Sequence, residues 1–286
     1  MERLSYEVVD VFTDQPFTGN PLAVVFGAAG LGTAQLQALA REFHLSETVF
    51  VLPPERGGTY RARIFTPEEE LPFAGHPSVG AAVTAVRAGL AVVGQVVQEC
   101  GAGLLPIDVY AEGRARLTGG TPTVGPELDP QPLLAVAGLA AADYAGPAPR
   151  LAGCGLAFPY LSVTPDAVVR AAGDSAAARA YGAPQVSVFS WDPAGRTAHT
   201  RVFCPGMGVA EDPATGSAAL GFGVWLVASG LVPGNGESGY TVRQGAEILR
   251  PSTLECTVTA DGGTARRATV SGQVVPIARG EIAVPR

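Results

Sequence analysis

Three short runs carry side chains suited to moving a proton or holding an anion. Ser46-Glu47-Thr48 sets one carboxylate at the head of the apolar run Val49–Leu52. In a closed apolar cleft such a carboxyl is raised toward the range useful for proton transfer. Gly75-His76-Pro77 and Gly216-Ser217 each open an apolar segment, and carboxylates precede both: Glu68-Glu69-Glu70 and Glu211-Asp212. A helix opening offers unpartnered N–H groups and the positive end of the macrodipole, and glycine lets an anion approach the backbone closely. On spacing alone the plainer readings stand beside these. Glu47 is equally a solvated strand-end glutamate, Gly75 and Gly216 are equally turn glycines, and Ser78 and Ser217 are equally helix caps.

Other chemistries find no support. The cysteines, Cys100, Cys154, Cys204 and Cys256, are scattered without a CxxC, and His44, His76 and His199 lack ligand spacing, so no metal site is expected. The chain has no lysine, all its basic residues being arginine, which removes Schiff-base chemistry and the usual attachment of pyridoxal phosphate. A Walker A loop is impossible for the same reason. Gly101-Ala102-Gly103, Gly153-Cys154-Gly155 and Gly206-Met207-Gly208 lack the third glycine of a dinucleotide loop. No organic cofactor is expected. A net charge of −7 without a basic run argues against nucleic acid. The apolar run 218–228 is far short of a membrane span, and Met1–Phe12 shows no apolar leader, so no membrane partner and a cytoplasmic location are expected.

The elements that must position these groups read as a duplication. Arg63-Ile64-Phe65-Thr66-Pro67 resembles Arg201-Val202-Phe203-Cys204-Pro205, and each leads through acidic residues to a glycine and an apolar segment closed by Gly89-Leu90 or Gly230-Leu231. The two segments have equal length. Val79–Ala88 contains one charge and Ala218–Ser229 none, so each helix must be buried all round, as it would be with a sheet wrapped about it. Strands are expected at Tyr6–Val11, Leu22–Phe26, Thr48–Leu52, Tyr60–Phe65, Val186–Ser190, His199–Phe203 and Leu254–Val258. Ala34–Phe43 reads as an amphipathic helix, and the Pro/Gly-rich stretch Thr118–Pro132 as the crossing between halves.

Four runs, Phe12-Thr13-Asp14-Gln15-Pro16-Phe17-Thr18-Gly19-Asn20-Pro21, Ser46-Glu47-Thr48, Pro72-Phe73-Ala74-Gly75-His76-Pro77 and Glu211-Asp212-Pro213-Ala214-Thr215-Gly216-Ser217, together resemble PhzF-like proteins, the phenazine biosynthesis protein F family. The resemblance extends over essentially the whole chain. It implies an α+β fold like that of diaminopimelate epimerase, with two pseudo-symmetric domains, each a curled sheet or barrel around a central apolar helix. The domains would be 1–118, completed by a last strand near 274–286, and 119–273, with the active site in the cleft between them. It further implies a cofactor-independent isomerase of a small carboxylate, with Glu47 as acid/base. His76 and Asp212 would bind polar groups and assist the proton, while Gly75, Gly216 and Ser217 hold a carboxylate. Asn20 is a further candidate for substrate binding, although Gly-Asn-Pro is equally a turn. Cysteine-dependent epimerases of this fold carry thiols where this chain has Ala74 and Thr215, so two-thiol racemisation is excluded. Dehydration or epimerisation of a hydroxy or amino acid, and carboxylate binding without catalysis, are the alternatives. The resemblance and the prevalence of two-fold oligomers lead to an expected homodimer.

Overall fold

A computed structural model describes residues 2–205 and 209–285; the Gly206-Met207-Gly208 run lies outside them. The chain divides into two compact units, Met1–Thr118 with Ser271–Arg286, and Gly119–Val270. In the first unit the strands are β1 (Arg3–Val11), β2 (Asn20–Phe26), β3 (Glu47–Leu52), β4 (Tyr60–Phe65), β5 (Glu70–Leu71), β6 (Gly94–Cys100), β7 (Gly103–Val109) and β8 (Arg114–Thr118). Its helices are α1 (Thr33–Phe43) and α2 (Gly75–Arg87). The second unit carries β9 (Pro122–Glu127), β10 (Arg150–Cys154), β11 (Leu156–Ser162), β12 (Val186–Asp192), β13 (Thr197–Cys204), β14 (Val209–Asp212), β15 (Gly236–Gln244) and β16 (Ser252–Asp261). Its helices are α3 (Pro130–Val136), α4 (Pro165–Arg170), α5 (Ser175–Tyr181) and α6 (Gly216–Ala228). The last strand, β17 (Thr264–Ala283), starts in the second unit and ends in the first.

That last strand closes the first unit. β1 pairs with β2 and β17, and the circuit β2-β3-β4-β6-β7-β8 returns to β17, giving eight strands with no open edge. Closure explains the composition of α2, whose residues from Gly75 to Ala85 are all buried. Strand residues Val9, Val11, Leu22, Val24, Val49 and Ile64 are as deeply buried. In the second unit α6 is buried from Gly216 to Val227, with Phe222 and Trp225 packed among Tyr160, Phe189, Trp191 and Tyr240. Glycines keep that helix thin: a Cβ at Gly221 would stand 2.8 Å from the Ala152 carbonyl oxygen.

Two expectations are corrected. The stretch Thr118–Pro132 is not only a crossing, since it contains β9 and the start of α3, and β9 pairs with β10 despite Pro122 and Pro126. Ser78 and Ser217 do not cap the helices. Gly75 and Gly216 are themselves helical, so the caps fall one residue earlier, on Ala74 and Thr215. Ser78 instead turns its hydroxyl back onto the Ala74 carbonyl at 2.8 Å. Among the described residues no helix is long and apolar enough to cross a membrane.

Candidate active site

The duplication extends to side chains. Arg63 holds Glu70 through two hydrogen bonds across the β4–β5 hairpin and lies over Phe65. Arg201 holds Glu211 in the same way across β13–β14 and lies over Phe203. Phe65 faces Glu70 and Ile64 faces Leu71; Phe203 faces Glu211 and Val202 faces Asp212. Residues 71–76, Leu-Pro-Phe-Ala-Gly-His, therefore superpose in register on residues 212–217, Asp-Pro-Ala-Thr-Gly-Ser. Of the carboxylates that precede the helices, Glu70 and Glu211 are spent on arginines. Asp212 stands where the first unit has Leu71.

In the first unit Asn20, Glu47, Gly75 and His76 come together. His76 is the second residue of α2 and 4% exposed. Its Nε2 lies 3.5 Å from Glu47 Oε2 at the head of β3. Its Nδ1 lies 3.2 Å from Asn20 Nδ2, and Ser46 Oγ donates to Asn20 Oδ1 at 3.2 Å. With the amide oxygen taken by Ser46, the amide N–H faces the imidazole. Nδ1 accepts, and the imidazole proton is set on Nε2, toward Glu47. Burial drives the His76 pKa down to about 3, so the ring is neutral at any working pH. The positive end of α2 acts in the same direction. Nε2 is thus turned toward Glu47 Oε2 across 3.5 Å, with no hydrogen bond closed between the two atoms in this structure.

In the second unit Asp212 gathers beside Gly216 and Ser217. Thr215, the cap of α6, donates its hydroxyl to Asp212 Oδ2 at 2.6 Å. Gln244 accepts from the Thr215 N–H and donates to both the Asp212 carbonyl and Thr215 Oγ1. Gly216 and Ser217 are buried first-turn residues. Strand register gives the counterparts of Glu47 and His76. Thr48 pairs with Phe65 as Val186 pairs with Phe203, which sets Gln185 where the first unit has Glu47. His76 has Ser217 as its counterpart. The second unit keeps the helix opening and loses both titrating groups.

Ser46, Thr215 and Gln244 were not among the expected site residues. Ser46 adjoins Glu47 and Thr215 adjoins Gly216, so adjacency was their available signal; Gln244 had none. Among the described residues no group of three or more His, Cys, Asp and Glu side chains is placed to hold a metal.

Residues 9–280 match the family profile described as phenazine biosynthesis-like protein, PhzC-PhzF. An uncharacterized isomerase of Mesorhizobium japonicum is 35% identical, with 99% of each chain covered. The trans-2,3-dihydro-3-hydroxyanthranilate isomerase of Pseudomonas aeruginosa is 33% identical over 96% of this chain and 98% of its own. The crystal structure of a Bacillus anthracis phenazine biosynthesis protein of the PhzF family superposes with a TM-score of 0.88 at 24% identity, covering 99% of this chain and all of that one.

Proposed function

The chain belongs to the phenazine biosynthesis-like family of isomerase enzymes, and we propose that it isomerises a small unsaturated carboxylate by a proton shuttle at Glu47. One observation carries the reading: a carboxylate beside an imidazole that burial keeps neutral and that Asn20 orients with its N–H toward it. Glu47 takes the proton from a carbon next to the double bond. The C–H electron pair moves into a new double bond, and the old one accepts at its far carbon a proton from the Glu47 carboxyl, which exchanges with water between the two transfers. The carboxylate is regenerated. His76 does not compete for the proton and supplies a hydrogen bond from Nε2. The first-turn N–H groups at Gly75 hold the substrate carboxylate, and Asp212, Gly216 and Ser217 are assigned to substrate binding in the same reading. No lysine is present to form an imine, so the electron pair is delocalised within the substrate itself. A cytoplasmic homodimer belongs to the same proposal.

The test is deuterium incorporation from heavy water, followed by NMR over a panel of small hydroxy- and amino-carboxylates that includes dihydro-hydroxyanthranilate. Glu47→Gln is expected to lower exchange by about 10²- to 10⁴-fold, the usual worth of a general acid/base. Undiminished exchange in that variant sinks the reading. Product mass separates isomerisation, which conserves it, from dehydration.

A further inference from the structure

A buried polar chain runs through the first unit and ends at the residue that caps α2. The Tyr60 hydroxyl donates to Gln98 Oε1 at 3.0 Å, Gln98 Nε2 donates to Ser78 Oγ at 2.8 Å, and Ser78 Oγ donates to the Ala74 carbonyl at 2.8 Å. Gln98 and Ser78 are wholly buried and Tyr60 nearly so. Each direction is fixed. A carbonyl accepts only, so Ser78 must donate to Ala74; its oxygen then accepts the Gln98 amide N–H, and Gln98 Oε1 takes the phenol proton. Burial, reinforced by nearby Cys100, holds that phenol protonated. Ala74 lies two residues before His76.

The second unit shows that the fold does not need this chain. Strand pairing aligns Tyr60 and Gln98 across β4 and β6 as it aligns Ala198 and Val242 across β13 and β15. With Gly75 matching Gly216, Ser78 matches Ala219. Where the first unit carries Tyr60, Gln98 and Ser78, the second carries alanine, valine and alanine, and builds the same glycine-opened helix. Its opening is instead tied by buried Gln244 onto Thr215 and Asp212, while the Tyr160 and Tyr240 hydroxyls donate to the Ala218 and Ala219 carbonyls; Gln244 matches Cys100 of β6. A buried polar network is harder to satisfy than an apolar core and fixes its members more narrowly. Both units place buried polar groups on the helix opening, but the chain of three side chains that ends on the carbonyl of the cap residue belongs to the half whose opening bears an imidazole.

We propose that Gln98, with Tyr60 and Ser78, is a positioning residue for His76, holding the first turn of α2 so that the imidazole keeps its place against Glu47. The inference rests on the Glu47–His76 reading above, but its test needs no substrate. With three histidines in the chain, the His76 imidazole nitrogens are resolved by NMR of histidine-labelled protein and assigned with His44→Gln and His199→Gln. In the wild-type background Glu47→Gln displaces the His76 Nε2 signal. The same substitution is then made in Tyr60→Phe/Gln98→Leu/Ser78→Ala, which removes every polar member at once and leaves none orphaned. The displacement is expected to shrink at least about twofold, as a double-mutant cycle reads a loosened contact. Where an exchanging substrate has been found, kcat is expected to fall about tenfold to a hundredfold with KM little changed, the cost of misplacing a reacting group by a fraction of an ångström to one ångström. A folded triple variant with the full displacement overturns the proposal. Should the triple variant not fold, Tyr60→Phe alone carries the same measurement with the same two outcomes. Failure of the isomerase reading shows separately, as unchanged deuterium exchange in Glu47→Gln.

Discussion

At the scale of residues, His76 does the opposite of what a histidine beside a carboxylate ordinarily does. Its folded pKa, about 3, lies below the unfolded value near 6.5, so between those values the unfolded chain binds more protons. Stability from this group is complete above pH 6.5 and declines as pH falls toward 3. Between pH 6.5 and pH 5 the decline is about 1.6 kcal/mol, the slope approaching about 1.36 kcal/mol per pH unit only well below the unfolded pKa. Urea denaturation at the two pH values is expected to show that loss in the wild type and its absence in His76→Gln, the difference cancelling contributions from His44 and His199. Equal acid sensitivity in both proteins would show that the fold does not keep the imidazole neutral, and would remove that support for the Glu47 reading. Glu47, His76 and Asp212 were legible as residues because their runs resemble a family. Neither the neutrality of His76 nor the roles of Asn20 and Gln98 was legible, because both depend on burial. Gln98 sits in Gly94–Cys100, a strand absent from those expected, and its amide is enclosed because it meets Ser78 of α2.

At the scale of elements, the two central helices were the clearest signal in the sequence, since a helix with one charge or none, too short to cross a membrane, must be surrounded by protein. Their starts were misjudged by two to four residues, as glycine and proline at the openings read as turn. Helix β-strand boundaries around 118–132 failed for a related reason: proline argues against a strand, and only the ladder to β10 shows one. The thinness of the helices yields a test with opposed terms. Alanine for a helical glycine gains about 1 kcal/mol of propensity. At Gly221 the new Cβ would meet the Tyr160 hydroxyl, the Ala152 carbonyl at 2.8 Å and Gly153 Cα at 3.0 Å, and two of those three neighbours are backbone. At Gly80 it would meet the tips of Leu22 and Val11, at 2.5 and 2.9 Å, which can turn aside. Overpacking costs about 1–3 kcal/mol where the surroundings are rigid. Gly221→Ala is therefore expected to destabilise by up to about 2 kcal/mol net in urea denaturation, and Gly80→Ala by less. The reverse ranking would mean that α6 has room that the packing denies.

At the scale of the whole molecule, one chain segment serves both units in turn. Residues 264–270 of β17 belong to the second unit and 271–283 to the first, where they pair with all of β1 from Arg3↔Ala283 to Val11↔Val274. The junction is built closely. The Phe12 and Thr13 N–H groups both donate to the Gln273 carbonyl, Val274 N–H donates to the Gly113 carbonyl, and Phe12, at φ +65°, lies against Gly272. The duplication was visible in the sequence, but the return of the last strand to the first unit came from the resemblance, because an apolar strand does not name its partner. A chain ending at Val270 tests the consequence. It would leave β1 with an unpaired edge along its length and open the eight-strand circuit at β8 as well, while the roughly 150 residues of the second unit keep enough chain for a core of their own. Amide hydrogen exchange is expected to show Arg3–Val11 and the residues of β8 losing protection, while α6 retains it. The His76 imidazole, lodged on α2 inside that circuit, is expected to regain an ordinary titration near 6.5, since the burial that keeps it neutral goes with the barrel. Protection of β1 undiminished by the truncation would show that the first unit closes without β17, and that the shared strand is not what holds the proton-moving pair out of water.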